Sequence, residues 1–60
     1  MTSIRQKKVF LKFVNDGDET KLRRMLSNNW RLVNTSDHFG NTPLMIAVDK
    51  GHYKIINMLL

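Results

Sequence analysis

Cysteine is absent from this 60-residue chain, proline occurs once and glycine three times. Without thiols no disulfide and no thiolate metal site can reinforce the core, and no thiol nucleophile is available. No apolar run reaches the roughly 18 residues that a membrane-spanning helix needs. The N-terminus carries charge but no apolar stretch ahead of a small-residue cleavage site, so no signal peptide is read and a cytoplasmic or nuclear location is expected. Gly17, Gly40 and Gly51 stand apart from one another, which rules out a glycine-rich phosphate loop. Acidic residues are scarce too: five against ten Lys and Arg, a net charge of +5. What is present is a hydrophobic content of 42%, too high for a disordered tail. A chain this short buries only about 60% of the surface that its unfolded form exposes. Its stability must come from regular helix packing or from something that stacks on it.

The charge is unevenly placed. Residues 1–31 hold eight basic and three acidic groups, and residues 32–60 hold two of each. The first acid is Asp16, so Arg5, Lys7, Lys8 and Lys12 stand unopposed.

Sliding the chain against itself by 34 residues brings its halves into register. Phe10 falls on Leu44, Leu11 on Met45, Val14 on Val48 and Gly17 on Gly51. Leu22 falls on Ile56, Met25 on Leu59 and Leu26 on Leu60. A period of this length marks a repeat protein, whose units cannot bury their faces alone.

Local signals shape the unit. Ser3 and Gln6 have capping-box spacing, so a helix starts near Ile4. Val9, Phe10, Phe13 and Val14 share one face of it. Gly17 ends it, being free to adopt positive φ. Asp18 caps a second helix, with Glu19 in its first turn and Leu22, Met25 and Leu26 as its stripe. The plan recurs with Thr42 as cap, Pro43 in the first helical position, an inner stripe of Leu44, Ala47 and Val48, a turn at Gly51 and a helix from Tyr53 to Leu60. Between the halves, residues 27–41 read as a projecting hairpin-like loop, with Asp37 and Gly40 spaced for a type I turn. Trp30 is expected to pack over the end of the second helix.

The run from Asp37 to Leu60 resembles an ankyrin repeat. The family pattern D-x-x-G-x-T-P-L-H-x-A-A-x-x-G-H-x-x-(V/I)-(V/I)-x-x-L-L is met at Asp37, Gly40, Thr42, Pro43, Leu44, Ala47, Gly51, His52, Ile55, Ile56, Leu59 and Leu60. Met45 replaces the usual His and Val48 a usual Ala. Residues 9–29 resemble a degenerate first repeat. The resemblance implies an all-α fold: ankyrin-type helix-turn-helix repeats stacked as a short solenoid. The whole of 1–60 is then one segment, with a degenerate N-terminal cap repeat over 3–33 and a second repeat over 34–60, open at its C-terminal end.

The two repeats differ where Lys12 lies opposite Ile46, Lys21 opposite Ile55 and Arg24 opposite Met58. An outermost repeat has no neighbour on one side, and apolar area left in water there costs about 25 cal/mol per Å². Charged groups at those positions make a soluble end. At the other end Ile46, Ile55 and Met58 are expected to lie uncovered, awaiting further ankyrin repeats or another protein.

Enzyme chemistry finds no support. A calcium loop starting at Asp16 or Asp18 would need a Glu where Ser27 or Asn29 stands. His38 and His52 lack a third ligand. No nucleophile accompanies Asp37 and His38. No cofactor, metal or small-molecule substrate is expected. The resemblance implies a non-catalytic protein–protein interaction module that binds through loop tips and inner helices. The variable family positions fall at His38, Phe39, Asn41, Asp49 and Lys50, with Asn15 and Asp16 as the counterparts of Asp49 and Lys50 in repeat one. Phe39 is read either as an exposed aromatic anchor or as a ring folded back on a neighbouring loop. One alternative is the N-terminal segment of a larger enzyme, channel or adaptor. Another is anion binding, to nucleic acid or acidic membrane, by a patch of Arg5, Lys7, Lys8, Lys12, Lys21, Arg23 and Arg24.

Overall fold

The computed structural model describes residues 3–60. Four α-helices follow one another: α1 (Ile4–Asp16), α2 (Glu19–Asn28), α3 (Pro43–Lys50) and α4 (Tyr53–Leu59). A 3-10 turn, Trp30–Asn34, leads into the loop before α3. No strand occurs among the described residues.

α1, α2 and α3 each begin where a flanking side chain accepts from a backbone amide left over by the helix, whereas α4 has no such side-chain cap. The Ser3 hydroxyl accepts from the Gln6 amide at 3.1 Å, and the Gln6 side chain accepts from the Ser3 amide at 3.4 Å. Asp18 accepts from the Lys21 amide at 3.2 Å and Thr42 from the Met45 amide at 3.3 Å. Gly17 and Gly51 end α1 and α3 at φ 77° and 70°, a left-handed conformation that side chains strain to adopt. Beyond them the Asp18 amide donates to the Phe13 carbonyl at 3.0 Å, and the His52 amide to that of Ala47 at 2.9 Å. The two helical pairs are thus closed in the same way.

α1 packs on α2 and α3, while α4 packs on α3 and α2. One core runs through the molecule. It is built from Phe10 and Val14 of α1, Leu22 of α2, Leu32 of the 3-10 turn, Ala47 of α3 and Ile55 of α4, each no more than 1% exposed. Removing this apolar surface from water is the main stabilising term.

Equivalent positions of the two pairs have different neighbours. Val14 is fully buried, whereas its counterpart Val48 is 59% exposed. Val48 therefore does not join the inner stripe expected for it. Conversely, Ile55 is buried where its counterpart Lys21 is exposed. Ile46 and Met58 are half-buried against the same core. The expectation that Ile46, Ile55 and Met58 form the uncovered end is thus corrected. That stripe turns towards the first helical pair, which covers it. The side left open carries Val48 and Leu60 instead, both exposed. The reason is directional: each helix has one face towards the unit before it and another towards the unit after it.

Lys12, Lys21 and Arg24 are exposed, as expected. The Lys21 ammonium lies 5.1 Å from the centroid of the half-buried Phe13 ring and 3.9 Å from the Asp18 carboxylate. At that distance the ammonium makes a cation–π contact with the ring.

Two further corrections concern residues 27–41. The segment is not one projecting loop. Its first part completes α2 and folds into the 3-10 turn, which drives Leu32 into the core. Asn29 starts that turn by accepting from the Arg31 amide at 3.2 Å, and the Thr35 hydroxyl closes it on the Leu32 carbonyl at 2.7 Å. Trp30 does not pack as expected. It is 65% exposed, with the Arg31 guanidinium 5.8 Å from its ring. Leu32, two positions on, takes the buried place.

Candidate partner-binding groove

The loop before α3 holds its shape through one side chain. Asp37 Oδ1 accepts from the amides of Phe39 and Asn41, both at 2.9 Å, and Oδ2 accepts from the Asn41 side chain at 3.1 Å. The Asp37 amide donates to the Asn41 carbonyl at 3.0 Å. The Gly40 amide closes the turn on the Asp37 carbonyl at 3.1 Å, with Gly40 at φ 82°. The hydrogen bond from the Asn41 amide, opposed by burial and aided by the Asn41 side chain, the Phe39 amide and nearby His38, holds the Asp37 carboxyl below the usual carboxylate range.

This loop, α1 and α3 enclose an open groove. Leu11, Leu44, Met45, Ile46 and Val48 supply its apolar lining. Lys7, Lys8 and Lys12 from α1 and Lys50 from α3 add positive charge, and Asp37 and Asp49 add negative charge. Met45 is 52% exposed, so the groove presents apolar surface that the described residues leave open.

Of the partner-contacting residues expected from the sequence, the structure brings Asn15, His38, Asn41, Asp49 and Lys50 together along this groove. Phe39 and Asp16 are not among its lining residues. The Phe39 ring is 90% exposed at the loop tip, so of its two readings the folded-back one is not what the structure adopts. The Asn41 amide is engaged in holding the loop. The basic patch divides. Lys7, Lys8 and Lys12 line the groove, whereas Arg5 on α1 and Lys21, Arg23 and Arg24 on α2 stand outside it.

His52 joins the two helical pairs. Its Nε2–H donates to the Asn15 carbonyl at 3.1 Å, and its ring lies against Gly17. In the sequence His52 stood only as a family-pattern position with no partners for metal binding.

The apolar lining was missed. The signal for it lies in α3, where Leu44 to Val48 are five apolar residues in succession. A helix that is apolar on every side has partners on more than one. One side of α3 meets the core and another faces the groove.

Among the described residues no group of three or more acidic or histidine side chains gathers as a metal site, and no helix is long and apolar enough to cross a membrane. A family model described as ankyrin repeats (many copies) matches residues 10–60. No curated protein and no solved structure matched the chain.

Proposed function

The chain belongs to the ankyrin-repeat family, and from that premise we propose that it is a non-catalytic protein–protein interaction module that binds its partner in the groove between α1, α3 and the Asp37–Asn41 loop. The family's members generally bind other proteins. The observation that carries the reading is the exposed apolar lining at Met45 and Val48, set beside polar side chains at His38, Asp49 and Lys50. Apolar area with adjacent polar groups is the usual composition of a protein interface. Phe39 at the loop tip adds an exposed aromatic beside it. The reading includes a first, degenerate cap repeat over 3–33 and a second repeat over 34–60, working in the cytoplasm or nucleus.

Panning a displayed peptide library against the chain tests this. Recovered ligands should lose binding to Met45→Glu with Asp49→Arg, and weaken against Phe39→Ala, while helicity by circular dichroism is kept. Ligands that bind both variants as tightly as the parent chain would remove the groove from the proposal.

One more observation favours an additional contact. Val14 is covered by the second helical pair, and the equivalent Val48 is not covered. We read the side that carries the exposed Val48 and Leu60 as the seat of a further repeat or of a partner. A cooperative thermal transition of the isolated 60-residue chain as a monomer would overturn this second reading.

A further inference from the structure

We propose that the groove selects an acidic peptide segment with apolar side chains at intervals, in preference to basic segments and to nucleic acid. The inference rests on the interaction-module reading and names the chemistry of the partner.

Three observations carry it. First, the charge of the groove is unbalanced: four lysines line it against two aspartates. Among the described residues the one ion pair is Lys21 with Asp18, so Lys7, Lys8, Lys12 and Lys50 make no ion pair with any of them. An acidic ligand brings the missing counter-charge, and a basic one would meet α1 at its most positive stretch. Second, the rest of the lining is largely aliphatic: Leu11, Leu44, Met45, Ile46 and Val48 line the same groove as the four lysines. Aliphatic surface gains from apolar side chains and gives nothing to a phosphate backbone. Third, both exposed aromatic loop residues, Phe39 and Trp30, lie outside the groove, so bases would find no stacking platform there. Asp49 and Asp37 would also repel a continuous polyanion, whereas a peptide can space its carboxylates to avoid them.

The test is fluorescence anisotropy on the whole chain with three labelled probes. One is a peptide of alternating Glu and Leu, one has Lys in place of each Glu, and one is a DNA duplex. The Glu/Leu peptide should bind at least about tenfold more tightly than either other probe, and should weaken as salt rises. Lys8→Glu with Lys12→Glu should cost about tenfold, and Lys8→Gln with Lys12→Gln somewhat less. Lys21→Glu with Arg23→Glu makes the same change in net charge outside the groove and should leave binding within about twofold. Amide shifts at Met45 and Asp49 should move on titration with the Glu/Leu peptide. Three results overturn the proposal: equal or better binding of the Lys/Leu peptide, tighter binding of the duplex, or equal losses from the two charge-reversal pairs. The probe comparison on the unaltered chain decides the matter even where a variant fails to fold. Should library panning return groove-dependent ligands that are neutral or basic, the interaction-module reading stands and this inference falls. Should no ligand depend on the groove, both fall.

Discussion

Gly17 and Gly51 occupy equivalent turns, and replacing each by alanine separates two effects that usually come together. Their φ angles are nearly the same, 77° and 70°. An L-residue in this left-handed region costs about 1–2 kcal/mol in either turn. The surroundings differ. A Cβ at Gly51 would meet nothing within 4 Å, whereas one at Gly17 would stand 3.0 Å from His52 Cε1 and 3.2 Å from both ring nitrogens. The ring is not free to swing away, because Nε2–H is held by the Asn15 carbonyl at 3.1 Å. Moving it gives up that bond, worth about 0.5–1.5 kcal/mol. Gly17→Ala should therefore cost about 2–3 kcal/mol and Gly51→Ala about 1–2 kcal/mol. The gap of about 1 kcal/mol is near a fivefold change in the folded-to-unfolded ratio. Urea titration followed by far-UV circular dichroism measures both. His52→Ala provides the decisive background, since in it the excess cost at Gly17 should vanish. Equal costs at the two glycines, or an excess that survives His52→Ala, would refute the reasoning.

Three other outcomes are expected. Ile55→Ala should cost about 2–5 kcal/mol through loss of a buried side chain, whereas Tyr53→Ala, at an exposed position of the same helix, should stay within about 0.5 kcal/mol; loss of helical dichroism in the first alone is the readout. Thr42→Ala removes the cap of α3 and should cost about 1 kcal/mol, seen as faster amide exchange at Met45. Asp37 has its folded pKa lowered, so its contribution to stability is present above its unfolded pKa and is lost as pH falls through the folded value. The Phe39 and Asn41 amides should follow that acid titration by NMR, and Asp37→Asn should abolish the titrating step.

Much of the fold was legible because its signals are local. Ser3, Gly17, Asp18, Thr42, Pro43 and Gly51 each act on the turn beside them, and all act as their residue types predict. The buried counterparts Phe10, Val14 and Leu22 followed from helical spacing. The direction in which each stripe faces was not legible. Spacing shows that Ile46, Ile55 and Met58 share a side of the second pair, but only the packing of the pairs shows that this side meets the first. The 3-10 turn was hidden for a different reason: five residues with no clear period give neither helical nor strand signal, and Leu32 outcompetes the larger Trp30 for the core. Within the groove the polar members were legible through family position. Its apolar lining was not, since an exposed Met45 reads like any other core residue in the sequence.

The arrangement of Lys12, Lys21 and Arg24 against Ile46, Ile55 and Met58 gives the molecule a polarity with consequences for crowding. Head-to-tail addition of identical copies would press the Val48 side of one against three cations of the next, and would strip water from charges of which only Lys21 has an acidic neighbour, Asp18. Open-ended fibres are the usual hazard of such translational surfaces. Here the charge on the first surface raises the cost of self-addition, while the Val48 side stays open to a partner of different chemistry.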